Sequence, residues 1–206
     1  MALVMAKDFH GRGLLRAAVL VPWAIPTAIT AKLRAFLFSE QGLVNSIFHA
    51  HVAWQTDPWA ARFSIILADV WKTTPFMALL ILAGLQMIPK DLYEAARMDG
   101  ANAWQRFTRI TLPLAKNSII VAVLFRMLDA LRMYDLPYIM VGPNPDSPTA
   151  TLSQLVVAAI RQDHVNAASA LSTLIFLLIF LIALCFVKSL GSKVAHQAEP
   201  VVAEEE

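Results

Sequence analysis

The chain has 206 residues, of which 58% are apolar or aromatic and only 16% are charged, whereas soluble domains average about 25% charged residues. A net charge of +2 is too small to suggest nucleic acid as a partner, and the single cysteine, Cys185, excludes an internal disulfide. This balance points to a chain whose solvent is partly lipid.

Residues 1–6 are apolar but cover only a third of a spanning length, and they run straight into Lys7, Asp8 and Arg12. This pattern is no cleavable signal peptide and is expected to be the inner end of a helix whose earlier part is absent. A first span is expected over residues 14–38, where Arg16, Lys32 and Arg34 cut the apolar stretch to 17–31 and Pro22 and Pro26 predict a kink. Residues 39–63 read as a loop with Trp54, Pro58 and Trp59 at the interface. His49 and His51 in that loop fall short of the three or four converging ligands that zinc needs, and no metal is expected. A second span over 64–88 carries Asp69 and Lys72, which can pair at i,i+3. A third over 117–140 carries Arg126, Asp129, Arg132 and Asp135. After a turn-rich stretch with Gly142, Pro143, Pro145 and Pro148, a short helix is expected over 152–160. The fourth span, 167–187, holds no charge, and 191–206 reads as a polar, disordered tail ending in three glutamates.

The fold class expected is therefore all-α: a polytopic membrane helical bundle of about four spanning helices over residues 1–190. Lys and Arg cluster in three places. These are Lys7, Arg12 and Arg16; Lys90, Arg97, Arg106, Arg109 and Lys116; and Lys188 and Lys193. The other two loops hold only Arg62 and Arg161. The positive-inside rule places both termini and the 89–115 connection in the cytoplasm, with the chain in the cell membrane.

The 89–115 connection reads as helix, break, helix. Pro89 suits a first helical position, and Asp91 and Glu94 lie early and Arg97 late, as the helix dipole favours. Gly100 can end that helix in the left-handed region, Asn102 can cap a second one, and Gln105 stands where a capping box closes. Short helices do not hold themselves together in water. Ala95, Ala96 and Ala101 would let a partner approach closely, and burying Tyr93, Trp104 or Phe107 against it would contribute about 1.5–3 kcal/mol each. The alternative is an amphipathic loop lying on its own membrane domain.

Glu94-Ala95-Ala96, then Gly100, then Ile110-Thr111-Leu112-Pro113 resembles the EAA loop of binding-protein-dependent ABC importer permeases. Asp99-Gly100-Ala101 is similar to the form common in the carbohydrate branch, and the lack of a Trp-Asn pair after the loop favours the maltose F-type half. The resemblance extends over Pro22-Trp23, Gly42-Leu43-Val44-Asn45, Asp69-Val70-Trp71-Lys72, Tyr134-Asp135 and Gly142-Pro143, and departs at Asn117, where many relatives have proline. It implies a six-span core of which this chain holds the last four, with 1–7 as the remnant of the preceding helix. It also implies that Glu94, Ala95, Ala96, Asp99, Gly100 and Ala101 contact a nucleotide-binding ATPase dimer. The other implied partners are a second permease subunit, an extracytoplasmic solute-binding protein, a sugar and membrane lipid, with no nucleic acid. ATP and Mg²⁺ belong to the ATPase; this chain has no Gly-x-x-x-x-Gly-Lys-Ser/Thr loop and no cofactor of its own is expected.

Charged residues in a bilayer usually face a bundle interior or a polar path. As a solute path, Asp129, Arg132 and Asp135 would bind hydroxyls, and Trp71 and Tyr134 would stack on a sugar face. The competing reading is internal ion pairing. An intramembrane enzyme would need a nucleophile with its base, or a metal cluster, and the histidines lie outside the expected spans. A passive anchor gives no reason for the helix-Gly-helix. A glycerol phosphate permease would want clustered Arg or Lys at the pore.

Overall fold

The computed structural model describes residues 1–6 and 9–198, with side chains as far as Lys188. Every regular element among them is helical: α1 (Ala2–Met5), α2 (Arg12–Ala24), α3 (Thr27–Leu37), α4 (Leu43–Phe48), α5 (Pro58–Gln86), α6 (Lys90–Met98), α7 (Ala103–Arg106), a π-helical stretch (Phe107–Thr111), α8 (Leu112–Leu114), α9 (Lys116–Leu131), α10 (Asp135–Met140), α11 (Leu152–Arg161) and α12 (Val165–Ala198). Two of these, α5 and α12, are long and apolar enough to cross a bilayer alone. Two further spans arise if the bent pairs Arg12–Ala24 with Thr27–Leu37, and Ala103–Leu114 with Lys116–Leu131, each count as one. A polytopic bundle of up to four spans is thus what the chain folds into.

The first expected span is a broken helix. Its two arms meet at 83°. Pro26 has no N–H and forces the residue before it out of the helical region; Ile25 is accordingly extended at φ −69°, ψ 132°. Pro22 stays inside α2. Chain then passes through α4 into α5, which starts earlier than the sequence suggests because Asp57 caps it. The Asp57 carboxylate accepts from the N–H groups of Trp59 and Ala60 at 3.1 and 2.7 Å, and Pro58 supplies the first helical residue. Buried Asn45 organises the intervening loop. It donates to the carbonyls of Glu40 and Val52 and accepts from Trp54 Nε1 at 2.7 Å.

The expected third span, 117–140, is not continuous. Helix α9 ends at Leu131, and α10 begins at Asp135. Pro137 cannot donate to the Met133 carbonyl, so a helix through this point would leave that oxygen bare in lipid. The Thr151 hydroxyl donates to it instead at 2.8 Å. Thr151 also caps α11 through a capping box with Gln154, which fixes the short helix expected here. Helix α12 continues past the expected boundary at Gly191 to Ala198; the remainder of the expected tail, 199–206, lies outside the described residues.

Two apolar cores hold the bundle. Ala31, Ile65, Ala68, Leu136 and Met140 join α3, α5 and α10, and Ala2, Met5, Ala78 and Leu82 join α1 to the later half of α5. The start of the chain therefore lies at the end of α5 from which α6 departs. Helix α12 is apolar all round, and Leu174, Phe176, Leu177, Phe180, Leu181 and Leu184 are exposed. Such a helix requires lipid or another apolar chain around it.

Helices α5 and α9 cross where Gly84 meets Ser118. A methyl group on Gly84 would overlap the Ser118 side chain, including its Cβ, which cannot rotate away. Gly84→Ala should therefore destabilise the purified protein by about 1–3 kcal/mol despite the better helix propensity of alanine. Ser118→Gly in the same chain should recover most of the loss. Thermal midpoints in detergent check both statements.

Candidate functional site

The charges in the membrane converge on one region. A cavity of about 190 Å³ is lined by Thr27, Asp69, Lys72, Thr73, Asp129, Arg132, Met133, Tyr134, Asp135 and Leu136. The break between α9 and α10 makes this possible. In one continuous helix, residues three apart rotate by about 60° per step and the charges would wind around it. With the helix interrupted, Asp129 and Arg132 at the end of α9 and Asp135 at the start of α10 share a wall. Four of the five residues expected on a solute path are thus brought together. Trp71 is not: it lines neither this cavity nor the adjoining one, and the Arg34 guanidinium lies over its ring at 4.6 Å.

The adjoining cavity, about 260 Å³, shares Thr73, Asp129 and Arg132 and adds Trp23, Phe76, Phe125 and Arg126. Trp23 and Phe76 stack with centroids 5.7 Å apart and planes 11° from parallel. Sequence reasoning missed both as site residues. Tyr134 stacks on Tyr138 at 4.9 Å, and the Arg161 guanidinium lies over Tyr138. Polar groups between aromatic faces suit a hydroxyl-rich solute, whose C–H faces stack while its hydroxyls bond.

Asp69 does not pair with Lys72, as i,i+3 spacing would allow. Its carboxylate pairs with Arg126 of α9, which also reaches Asp129 at 3.3 Å. Helix geometry explains the exchange: Arg126 comes from the facing helix into the bundle interior, while Lys72 turns to the break between α2 and α3. There its ammonium donates to the carbonyls of Ile25 at 2.6 Å and Trp23 at 3.3 Å.

The helix-Gly-helix forms as the sequence predicts, with one shift: Pro89 is the cap and Lys90 the first helical residue. Gly100 is left-handed at φ +75°. Asn102 and Gln105 make the reciprocal capping box, with bonds of 2.9 and 2.8 Å. Arg106 donates to the Ala101 carbonyl, and the Tyr93 hydroxyl meets Thr111 Oγ1 at 3.1 Å, tying the two arms together. No residue of α6 is buried. Glu94, Ala95, Asp99 and Gly100 are exposed and Ala96 and Ala101 half-buried. Met98 and Trp104 are 89% and 70% exposed, while Lys90, Tyr93, Glu94 and Arg97 line a cavity shared with Leu3, Ala6, Arg12 and Arg16.

A family profile described as "Binding-protein-dependent transport system inner membrane component" matches residues 1–196. The trehalose/maltose transport system permease protein MalF of Thermococcus litoralis is 44% identical over 192 residues, covering 91% of this chain and 65% of that protein. The trehalose transport system permease protein SugA of Mycobacterium tuberculosis is 39% identical over 194 residues, covering 93% of this chain and 62% of its own length. The chain thus spans somewhat less than two thirds of these relatives. The sulfoquinovosyl glycerol transport system permease protein SmoG of Agrobacterium fabrum is 42% identical over 161 residues, which is 76% of this chain and 52% of that one. Among solved structures, a bacterial ABC transporter involved in the import of the acidic polysaccharide alginate superimposes with a TM-score of 0.81 at 25% identity, over 93% of this chain and 70% of that chain.

Arg126 holds the Asp69 carboxylate in a partly buried site, its side chain 24% exposed and that of Asp69 13%, and also reaches the exposed Asp129. Arg126→Gln should cost about 3 kcal/mol by leaving the buried Asp69 charge uncompensated. Adding Asp69→Asn should lose less than the two single changes combined. A double-mutant cycle of denaturation midpoints measures the coupling.

Proposed function

The chain belongs to the binding-protein-dependent transport system inner membrane components, and from that premise we propose that it is a permease subunit of an ATP-driven importer for a neutral sugar. It would form half of the translocation path and hydrolyse nothing itself. The observation that carries this reading is the capped α6–Gly100–α7 knuckle, in which α6 buries no residue and Met98 and Trp104 stand exposed.

In this reading the knuckle lies on the cytoplasmic side with both termini and docks on a nucleotide-binding subunit through Glu94, Ala95, Ala96, Asp99, Gly100 and Ala101. ATP closes the ATPase dimer, the docked knuckle moves with it, and the attached spans swing the cavity toward the outside. The ligand shifts the balance only as far as it favours one state over the other. A second permease half completes the path, and an external solute-binding protein delivers the sugar.

The charge of the two cavities supports a neutral solute. Asp69, Asp129 and Asp135 face Lys72, Arg126 and Arg132, so acids and bases balance. An anionic sugar or glycerol phosphate would call for a cationic excess. Trp23, Phe76 and Tyr134 support stacking on sugar rings, and the paired cavities support a disaccharide or short oligosaccharide.

The test is uptake by proteoliposomes holding this protein with its ATPase, second permease and binding protein. A labelled neutral disaccharide should accumulate with ATP, and a sulfonated or uronate sugar should not. Gly100→Val, which forces a β-branched residue into left-handed backbone, and Glu94→Arg should each lower uptake at least about tenfold while the complex still assembles. Unchanged uptake in both variants would sink the coupling role.

A further inference from the structure

We propose that Lys72 is a positioning residue that holds the break between α2 and α3 and so sets the wall of the cavity that Trp23 lines. The break leaves helix-terminal carbonyls without intrahelical donors, because Pro26 brings no N–H and Ile25 has left the helix. Lipid supplies no replacement donors. Lys72 of α5 reaches across 47 and 49 residues of sequence to bond the Ile25 and Trp23 carbonyls. An ammonium with three donors is suited to gathering two carbonyls from one bend.

Two consequences make this more than a local tie. The carbonyl bonded is that of Trp23 itself, whose indole lies on Phe76, one turn along α5 from Lys72. The Lys72 bonds and the Trp23–Phe76 stack therefore fix the same short segment of α2 against the same turn of α5. On the same face of α5, three residues before Lys72, Asp69 is held by Arg126. Residues 69–76 of α5 are thus fastened both to the end of α2 with the break that follows it and to α9. Lys72 also lines the cavity with Asp129 and Asp135, so its charge contributes to the balance there while its bonds go to the backbone.

The inference about the bend stands on geometry alone; its effect on solute binding rests on the sugar-path reading above. Two measurements on the assembled transporter separate them. First, nitroxide labels at Leu14→Cys and Phe36→Cys, exposed sites on the two arms, in a Cys185→Ser background, report the bend by pulsed electron–electron distance distributions. The distribution should be narrow with Lys72 or Lys72→Arg, which keeps charged donors, and broad or displaced with Lys72→Met. Should Lys72→Met not assemble, Lys72→Gln, with a neutral amide, carries the same measurement and should broaden it. Second, Lys72→Met should raise the KM for disaccharide uptake about tenfold, the scale of losing a charge-assisted hydrogen bond, with kcat within about twofold. Arginine should restore KM. A distance distribution unchanged by methionine or glutamine overturns the proposal. Wild-type complex that takes up no sugar overturns the sugar reading instead, and the distances still decide the role of Lys72.

Discussion

Lipid gives no hydrogen bonds, so a chain that bends inside a membrane must find its own partners for each backbone group it frees. This constraint explains much of the structure. The chain bends at Pro26 and again before Pro137, and in each case a side chain from a distant element donates to the freed carbonyls. Lys72 of α5 serves the first break, and Thr151 before α11 serves the second. Both breaks adjoin the polar cavity, whose lining includes Thr27 just past the first break and Met133, Tyr134 and Asp135 around the second. At these two places the irregular backbone borders the polar cavity.

The two readings of the membrane charges, solute path and internal pairing, turn out to be compatible. Arg126 is absorbed by Asp69 and Asp129 and does structural work between α5 and α9. Arg132 and Asp135 are exposed and line the cavity without a salt bridge to each other among the described residues. One group of charges is paired between α5 and α9, and the other leaves the cavity polar. Retaining a buried pair that hydrophobic residues could replace is costly for stability, and its use here is to fix which two helices face each other.

The elements governed by local chemistry were legible in the sequence. Gly100, Asn102 and Gln105 announce their turn and cap, the uncharged run around Leu174 announces α12, and the 152–160 helix announces itself by its apolar spacing. The elements governed by distant partners were not. Asp69 and Lys72 look like an i,i+3 pair until α9 and the α2–α3 break supply better ones. The interruption at residues 132–134 depends on Pro137, which in sequence reads as one more proline in an apolar stretch. Trp71 was expected at the solute path because aromatic residues near charges suit sugars, but its direction on α5 sends it to Arg34. Trp23 lies near the end of α2, and the packing of α2 against α5 brings it to the cavity.

The same geometry shows how a movement at the knuckle could reach the cavity. Helix α6 follows α5 after only a short turn, and α7 runs through the π-helical stretch and α8 into α9. The two arms of the knuckle therefore lead into the two helices that carry the Asp69–Arg126 pair, the second after a 65° bend at Ala115. From Gln86 back to Asp69 is about 25 Å of helix at 1.5 Å per residue. A helix of that length transmits a displacement as a tilt, provided the neighbouring helix tilts with it. The Gly84–Ser118 crossing near one end and the ion pair near the other bind α5 and α9 at two points. Two struts joined twice move as one body. In the proposed transport role, force applied at Gly100 therefore enters both struts at once, and the cavity wall they share moves without the ion pair having to break.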